Sequence, residues 1–158
     1  MICYVDGACS HNGSSKASGG YGVVTLDDNG NFISAYQHFE TGTTNNRQEM
    51  KAILYAMVNY GKKFPLTIYS DSAYAINTFS SWMYNWAKNN WTKSDNKTPE
   101  NLDLVQAFYN LIQQGYKCNF KLIKGHSGNK GNVCADALAT GKIKTEEVKL
   151  LWEKSIEL

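Results

Sequence analysis

An α/β domain with a mixed sheet is the fold class this sequence predicts, and three observations carry it. The first forty residues are rich in short apolar runs separated by Gly, Asn and Asp turns. From Arg47 the apolar residues change to helical spacing. Beyond residue 61, short strand-like runs alternate with helical ones. The elements follow in the order βββαβα…αβα.

Residues 2–8 form a short apolar strand, and residues 20–26 a second one after a Gly/Ser-rich loop. Asp27-Asp28-Asn29-Gly30 has hairpin chemistry, and residues 31–39 return as a third strand, so the three make an antiparallel meander. Thr43, Thr44, Asn45 and Asn46 offer helix caps, and Met50, Ile53, Leu54, Met57 and Val58 mark one helical face that ends at Gly61. Residues 66–69, after Pro65, are a short strand. Asp71-Ser72 caps a helix running to about residue 79, and residues 82–87 are a further helical piece. Residues 88–99 are polar and irregular. Residues 100–114 form a helix closed by Gly115. Residues 117–124 alternate as a strand through Cys118, Phe120 and Leu122. A loop at 125–130 leads into a helix at 131–140. A last amphipathic helix spans 145–158, with Val148, Leu151, Trp152 and Ile156 on one face. There is no internal repeat and no linker, so one domain is expected.

Composition narrows the class. A chain of 158 residues buries roughly 68–70% of its unfolded surface and needs no staples. With 42% apolar and 19% charged residues it belongs with globular rather than disordered chains. No apolar run reaches a membrane span, and Met1-Ile2-Cys3-Tyr4-Val5-Asp6 lacks a basic leader, so a cytoplasmic protein without membrane association is expected. The cysteines at 3, 9, 118 and 134 form no close pair and read as reduced thiols. The net charge of +2 is unevenly spread: residues 1–81 carry −1, 82–144 carry +5 and 145–158 carry −2. The basic stretch suits a polyanion, although a solvated lysine face is the commoner explanation for such an excess.

Four acids stand out. Glu49 shares a helix face with Ala52, Ile53, Ala56 and Met57, where a carboxylate is costly unless it pairs, binds a metal or holds a proton; the alternative is a partly exposed acid in the first helical turn. Asp71 follows a strand and precedes a helix, the place where sites collect in α/β sheets, although an N-cap explains it as well. Asp6 lies within or at the end of an apolar strand, where Asp is unusual unless Asp6-Gly7 starts a turn. Asp136 is an ordinary helical acid taken alone, ten residues after His126 in a Gly/Ser loop. Such hard oxygen ligands suit Mg²⁺ or Mn²⁺, and two ions can clamp an in-line phosphoryl displacement. Spacing does not show that the four converge.

Taken together, Tyr4-Val5-Asp6-Gly7-Ala8-Cys9, Gly19-Gly20-Tyr21-Gly22, Thr43-Thr44-Asn45-Asn46-Arg47-Gln48-Glu49, Tyr69-Ser70-Asp71-Ser72, and Lys124-Gly125-His126-Ser127-Gly128 with Asn132 and Asp136 resemble the type 1 ribonuclease H family. The resemblance implies a five-stranded mixed sheet with helices on both faces. It implies a catalytic domain over residues 1–144, a handle at 82–98, and a helical extension of the same domain at 145–158. The implied reaction is cleavage of the RNA strand of an RNA–DNA hybrid by two Mg²⁺ ions, with Mn²⁺ as substitute, leaving 3′-hydroxyl and 5′-phosphate ends. Carried over by residue, Asp6, Glu49, Asp71 and Asp136 are the metal ligands, with Asp6 bridging, and His126 assists turnover. Cys9, Asn12, Asn45 and Asn46 contact sugars or base edges in the minor groove, where the 2′-OH is displayed. Thr44 and Asn101 grip a DNA phosphate. Trp82, Trp86, Lys88, Trp91, Lys93 and Lys97 correspond to the handle, with one of Trp82 and Trp86 expected to be structural. A monomer is expected.

There are departures from the family pattern. The loop after Asp6 is about three residues longer, which weakens the match at Asn12. Gly42 stands where an arginine often helps hold the phosphate, and Ala73 replaces a larger residue. The handle is poor in lysine. Three other readings compete: a non-catalytic hybrid-binding module, a DNA-cutting or transposase-like relative, and a nucleotide-binding protein using Gly19-Gly20-Tyr21-Gly22. The last is weak, because that run leads into a strand and not a helix N-terminus.

Overall fold

Strands β1 (Ile2–Ser10), β2 (Ser18–Leu26) and β3 (Phe32–Thr41) form the expected antiparallel meander in the computed structural model, which describes residues 1–12, 16–63, 65–125 and 128–157, with side chains to Lys154. The β2–β3 turn closes because the Asp27 carboxylate accepts from the backbone N–H groups of Asn29 and Asn31, both at 2.9 Å. β4 (Thr67–Ser70) pairs parallel to β1, and β5 (Asn119–Leu122) parallel to β4, giving the order β3-β2-β1-β4-β5.

Alternation along the strands makes two cores. Cys3, Val5, Tyr21, Val23 and Ile68 face α1 (Asn45–Tyr60) and α4 (Leu102–Gln113), where Ile53, Met57, Val105 and Phe108 complete the larger core. Val24 and Leu26 face the other way, onto α5 (Lys130–Ala139) and α6 (Thr145–Glu157), through Cys134, Ala135, Leu138, Val148 and Trp152. Burial of these side chains is the main stabilising contribution, at roughly 25 cal/mol per Å² of apolar surface removed from water.

Two helical pieces expected at 71–79 and 82–87 are one run: α2 (Ala73–Asn77) passes through a wide π-helical turn (Thr78–Trp82) into α3 (Met83–Lys88). The wide turn lets both Phe79 and Met83 bury, Phe79 stacking on Phe108 with ring centroids 4.1 Å apart. α4 starts two residues later than expected, because Asn101 sits in the left-handed region at φ +59° and cannot join the helix. α6 packs onto the body through Val148 and Trp152, and Lys130 lies 3.9 Å over the Trp152 ring. Leu151, expected on the same apolar face, is instead exposed, and the Ile156 side chain lies outside the described residues. All four cysteines are free. Burial pushes the Cys3 thiol up to about 11, which keeps it an inert thiol. Among the described residues no helix is long and apolar enough to cross a membrane.

Candidate active site

The site sits at the carboxyl ends of β1 and β4. Tyr4 pairs with Tyr69, their rings stacked 4.7 Å apart, and two steps further the same parallel register brings Asp6 opposite Asp71. Asp6 is no turn residue: β1 continues to Ser10, and Asp6 pairs with Gly22 of β2. Asp71 is no cap either. Ser72 caps α2 by accepting from the Ala75 N–H, leaving the Asp71 carboxylate for the cleft.

Two glycines let the helices reach this point. A Cβ on Gly7 would lie 2.4 Å from the backbone nitrogen of Glu49, so α1 can cross β1 this closely only over glycine. On the opposite face a Cβ on Gly22 would lie 2.4 Å from the Ala135 carbonyl, one residue before Asp136. Part of the Gly19-Gly20-Tyr21-Gly22 run therefore serves as a seat for α5 inside β2, and it offers no phosphate loop. Glu49 belongs to the second turn of α1, since Thr44 is the N-cap, and it is buried.

Carboxylate oxygens of Asp6, Glu49 and Asp71 lie within 4.8 Å of one another. Asp136 lines the same open cleft, of about 420 Å³, and its charge acts on Asp6, but it stands outside that mutual set of three. Burial is the chief cause that pushes the Asp6 carboxyl up, to about 7; the charges of Asp71 and Asp136 add to it, while hydrogen bonds from Glu49 and the Gly7 N–H oppose it. Glu49 is held well above the ordinary carboxylate range by burial first and then by Asp6. Burial and mutual repulsion thus favour a proton on this pair of acids, and Glu49 Oε2 is buried with no partner among the described residues. An unpartnered buried carboxylate oxygen among crowded acids fits a hard divalent cation, which would displace the proton and satisfy the oxygen.

The structure brings some of the expected substrate residues together. Asn12 Oδ1 accepts from the Asn45 N–H at 2.8 Å, so Asn12 sits beside Asn45 despite the longer loop. Cys9, Asn45 and Asn46 line the acidic cleft. Thr44 Oγ1 accepts from the Arg47 N–H, and Asn101 Oδ1 from the Arg47 side chain at 3.3 Å, so Thr44 and Asn101 flank one residue. Trp82 is 40% exposed, whereas Trp86 packs against the larger core, which makes Trp86 the structural one of that pair. Trp91 also packs against that core, its half-buried ring edge-on to Tyr109 at 5.2 Å. Lys88 and Lys97 are exposed and Lys93 is half-buried. His126 lies outside the described residues. Its loop starts at Gly125, where a Cβ would be 2.8 Å from Asp71 Oδ2. Sequence reading passed over Tyr74, whose hydroxyl meets Asn101, and the Arg47–Asp103 pair that braces them. Only the three-residue interval from Asp71 to Tyr74 hinted at the first.

The family profile described as RNase H matches residues 1–144. The chain is 40% identical over 140 residues to "Ribonuclease HI" of Rickettsia prowazekii (strain Madrid E), covering 88% of each chain. It is 39% identical to "Ribonuclease H" of Rickettsia canadensis (strain McKiel), covering 88% of this chain and 86% of the other. Among solved structures it is similar to LC9-RNase H1, described as a type 1 RNase H with the type 2 active-site motif, at TM-score 0.73 and 26% identity, covering 89% of this chain and 70% of that one. The fold also matches foamy viral protease-reverse transcriptase in complex with RNA/DNA hybrid at TM-score 0.79 and 17% identity; this chain spans 19% of that longer protein.

Proposed function

Because the chain belongs to the ribonuclease H family, type 1, we propose that it hydrolyses the RNA strand of RNA–DNA hybrids, leaving 3′-hydroxyl and 5′-phosphate ends. The observation that carries the reading is the meeting of Asp6, Glu49 and Asp71 within 4.8 Å, with one Glu49 oxygen buried and unpaired. These three acids and Asp136 would hold two Mg²⁺ ions, with Mn²⁺ as substitute. Bound there, such ions would supply Lewis acidity for the attacking water and the leaving oxygen. Asp6, in contact with both Glu49 and Asp71 in that cluster, would be a ligand that the ions share. The acids arrive on separate elements, so the sheet and two helices fix their spacing before substrate enters.

The remaining roles fall to this chain's own groups. Asn12, Asn45 and Asn46, with the backbone of Cys9, sit where the minor groove presents the 2′-OH, and an amide suits that group because it both donates and accepts. Thr44 and Asn101 take a DNA phosphate. Trp82, Lys88 and Lys93 take the flank of the duplex, with less help from Trp86 and Trp91. His126 moves a proton or helps the product leave. The protein acts as a monomer in the cytoplasm.

A labelled RNA–DNA hybrid tests the reading, with RNA duplex, DNA duplex and single-stranded RNA beside it, in Mg²⁺, Mn²⁺ and EDTA. Cleavage confined to the RNA of the hybrid, lost in EDTA and restored by either ion, is the expected result. Cutting of DNA duplex, or cutting that persists in chelator, would overturn it.

A further inference from the structure

We propose that Tyr74 is a positioning residue for the DNA strand: its phenolic oxygen fixes the Asn101 amide, leaving one amide N–H for a backbone phosphate at a set distance from the acidic cluster. The inference rests on the hybrid-cleaving reading above and adds to it a residue outside the phosphate pair.

The hydrogen bonds leave little freedom. Asn101 stands at φ +59°, a conformation that Asn tolerates better than most residues, and it heads α4 without capping it. Its Oδ1 accepts from Arg47 Nη1 at 3.3 Å. A guanidinium only donates, so the amide cannot be turned the other way. Arg47 is itself clamped by both oxygens of Asp103, at 3.0 and 2.7 Å. The other end of the amide, Nδ2, donates to the Tyr74 hydroxyl oxygen at 3.2 Å. An amide nitrogen has two N–H groups, so one remains. Thr44 likewise spends an oxygen lone pair on the Arg47 N–H and keeps its own proton.

Charge explains why orientation matters here. Arg47, the cation that contacts Asn101, is paired with Asp103, and Gly42 brings no side chain. The grip on phosphate therefore depends on neutral donors, which are worth something only if they are aimed. Tyr74 is suited to aiming. It lies on α2, three residues past Asp71, and its ring meets Trp82 edge-on at 6.2 Å. Arg47 lies on α1, two residues before Glu49. The chain Tyr74–Asn101–Arg47 thus ties α2, which starts two residues after Asp71, to α1, which carries Glu49, and sets the pocket's distance from both acids.

The test is a double-mutant cycle on binding. It uses a fluorescent RNA–DNA hybrid in Mg²⁺, in the Asp71→Asn background so that turnover plays no part. Tyr74→Phe should raise Kd about three- to tenfold, the worth of one net hydrogen bond. Asn101→Ala should raise it at least as much, and Tyr74→Phe should add nothing on top. Tyr60→Phe, which loses the phenol bond to Ser34 Oγ (3.0 Å) near the far end of α1, should leave Kd unchanged. A hybrid whose DNA strand carries methylphosphonates should bind wild-type and Tyr74→Phe side chains equally. An unchanged Kd in Tyr74→Phe, or the same rise with Asn101 already removed, would overturn the proposal. Failure of the otherwise unaltered chain to cut hybrid would overturn the functional reading instead, and the cleavage assay scores that separately.

Discussion

Replacing Asp6 with Asn should stabilise the metal-free protein while destroying its activity. Burial and neighbouring acids raise the Asp6 carboxyl from 3.8 to about 7 in the folded state. Between those two values the folded chain holds a proton that the unfolded chain has released. Stability therefore falls as pH rises from about 4, and the loss is complete above about 7. A shift of about three units, at about 1.4 kcal/mol each, sets a ceiling near 4 kcal/mol. The titrations of Asp6 and Glu49 are tied together, so a gain on the order of 2 kcal/mol, within that ceiling, is the expected result at pH 8. Asn keeps the oxygen that accepts from the Gly7 N–H at 2.9 Å, so the substitution removes charge with little change in shape. For a chain of this size ~2 kcal/mol moves the melting temperature by about 4–8 °C. Thermal unfolding in EDTA across pH 4.5–8.5 measures it. The gain should shrink to under about 1 kcal/mol at pH 4.5, where the wild-type acid already carries its proton. Adding Mg²⁺ should raise the wild-type melting temperature more than the variant's. A variant less stable than wild type at pH 8, or one whose gain ignores pH, would refute the buried-acid account.

Other substitutions probe separate parts of the site. Asp71→Asn should cut cleavage by at least about a hundredfold while hybrid binding persists, as expected for a group acting on the transition state; loss of binding in a gel-shift assay would count against that role. His126→Ala should slow turnover far less than Asp71→Asn, and an equal loss in steady-state kinetics would make the histidine essential. Gly7→Ala places a methyl 2.4 Å from the Glu49 nitrogen, so it should destabilise by about 3 kcal/mol and reduce activity in proportion to the displacement of Glu49. Trp152→Ala empties the largest side chain from the α5–α6 core and should lower stability by about 3 kcal/mol in denaturant unfolding, because the ring is 8% exposed and lies under Lys130.

The sequence was most legible where one local rule decides. Period-two alternation located the meander, and the helical spacing from Met50 to Val58 located α1, because each face of those elements meets a single core. It was least legible where position depends on contacts across the sheet. Asp71 looked like a cap as much as a ligand; that it reaches the acid cluster while Ser72 caps the helix depends on how β4 pairs with β1. The π-helical turn at Thr78–Trp82 has no local signal, since it arises from burying Phe79 and Met83 at once. Trp91 was carried to the handle by resemblance alone, and the edge-on packing of its half-buried ring on Tyr109 has no local signal in the sequence.

The glycines show how the fold places charge where burial alone forbids it. Two buried acids in contact disfavour folding, and no hydrophobic pattern selects that arrangement. The backbone approaches at Gly7 and Gly22 are what impose it. With a side chain at either position α1 or α5 would stand further from the sheet, and the acids would separate into better-solvated places. The larger core, built on Ile53, Met57 and Phe108, is large enough to bear that local cost. Repulsion among the clustered acids then becomes affinity for divalent cations, because a bound ion would relieve what folding has imposed. On this view substitutions that relax the cluster should trade catalysis for stability, and those that loosen the helices that crowd it should lower both.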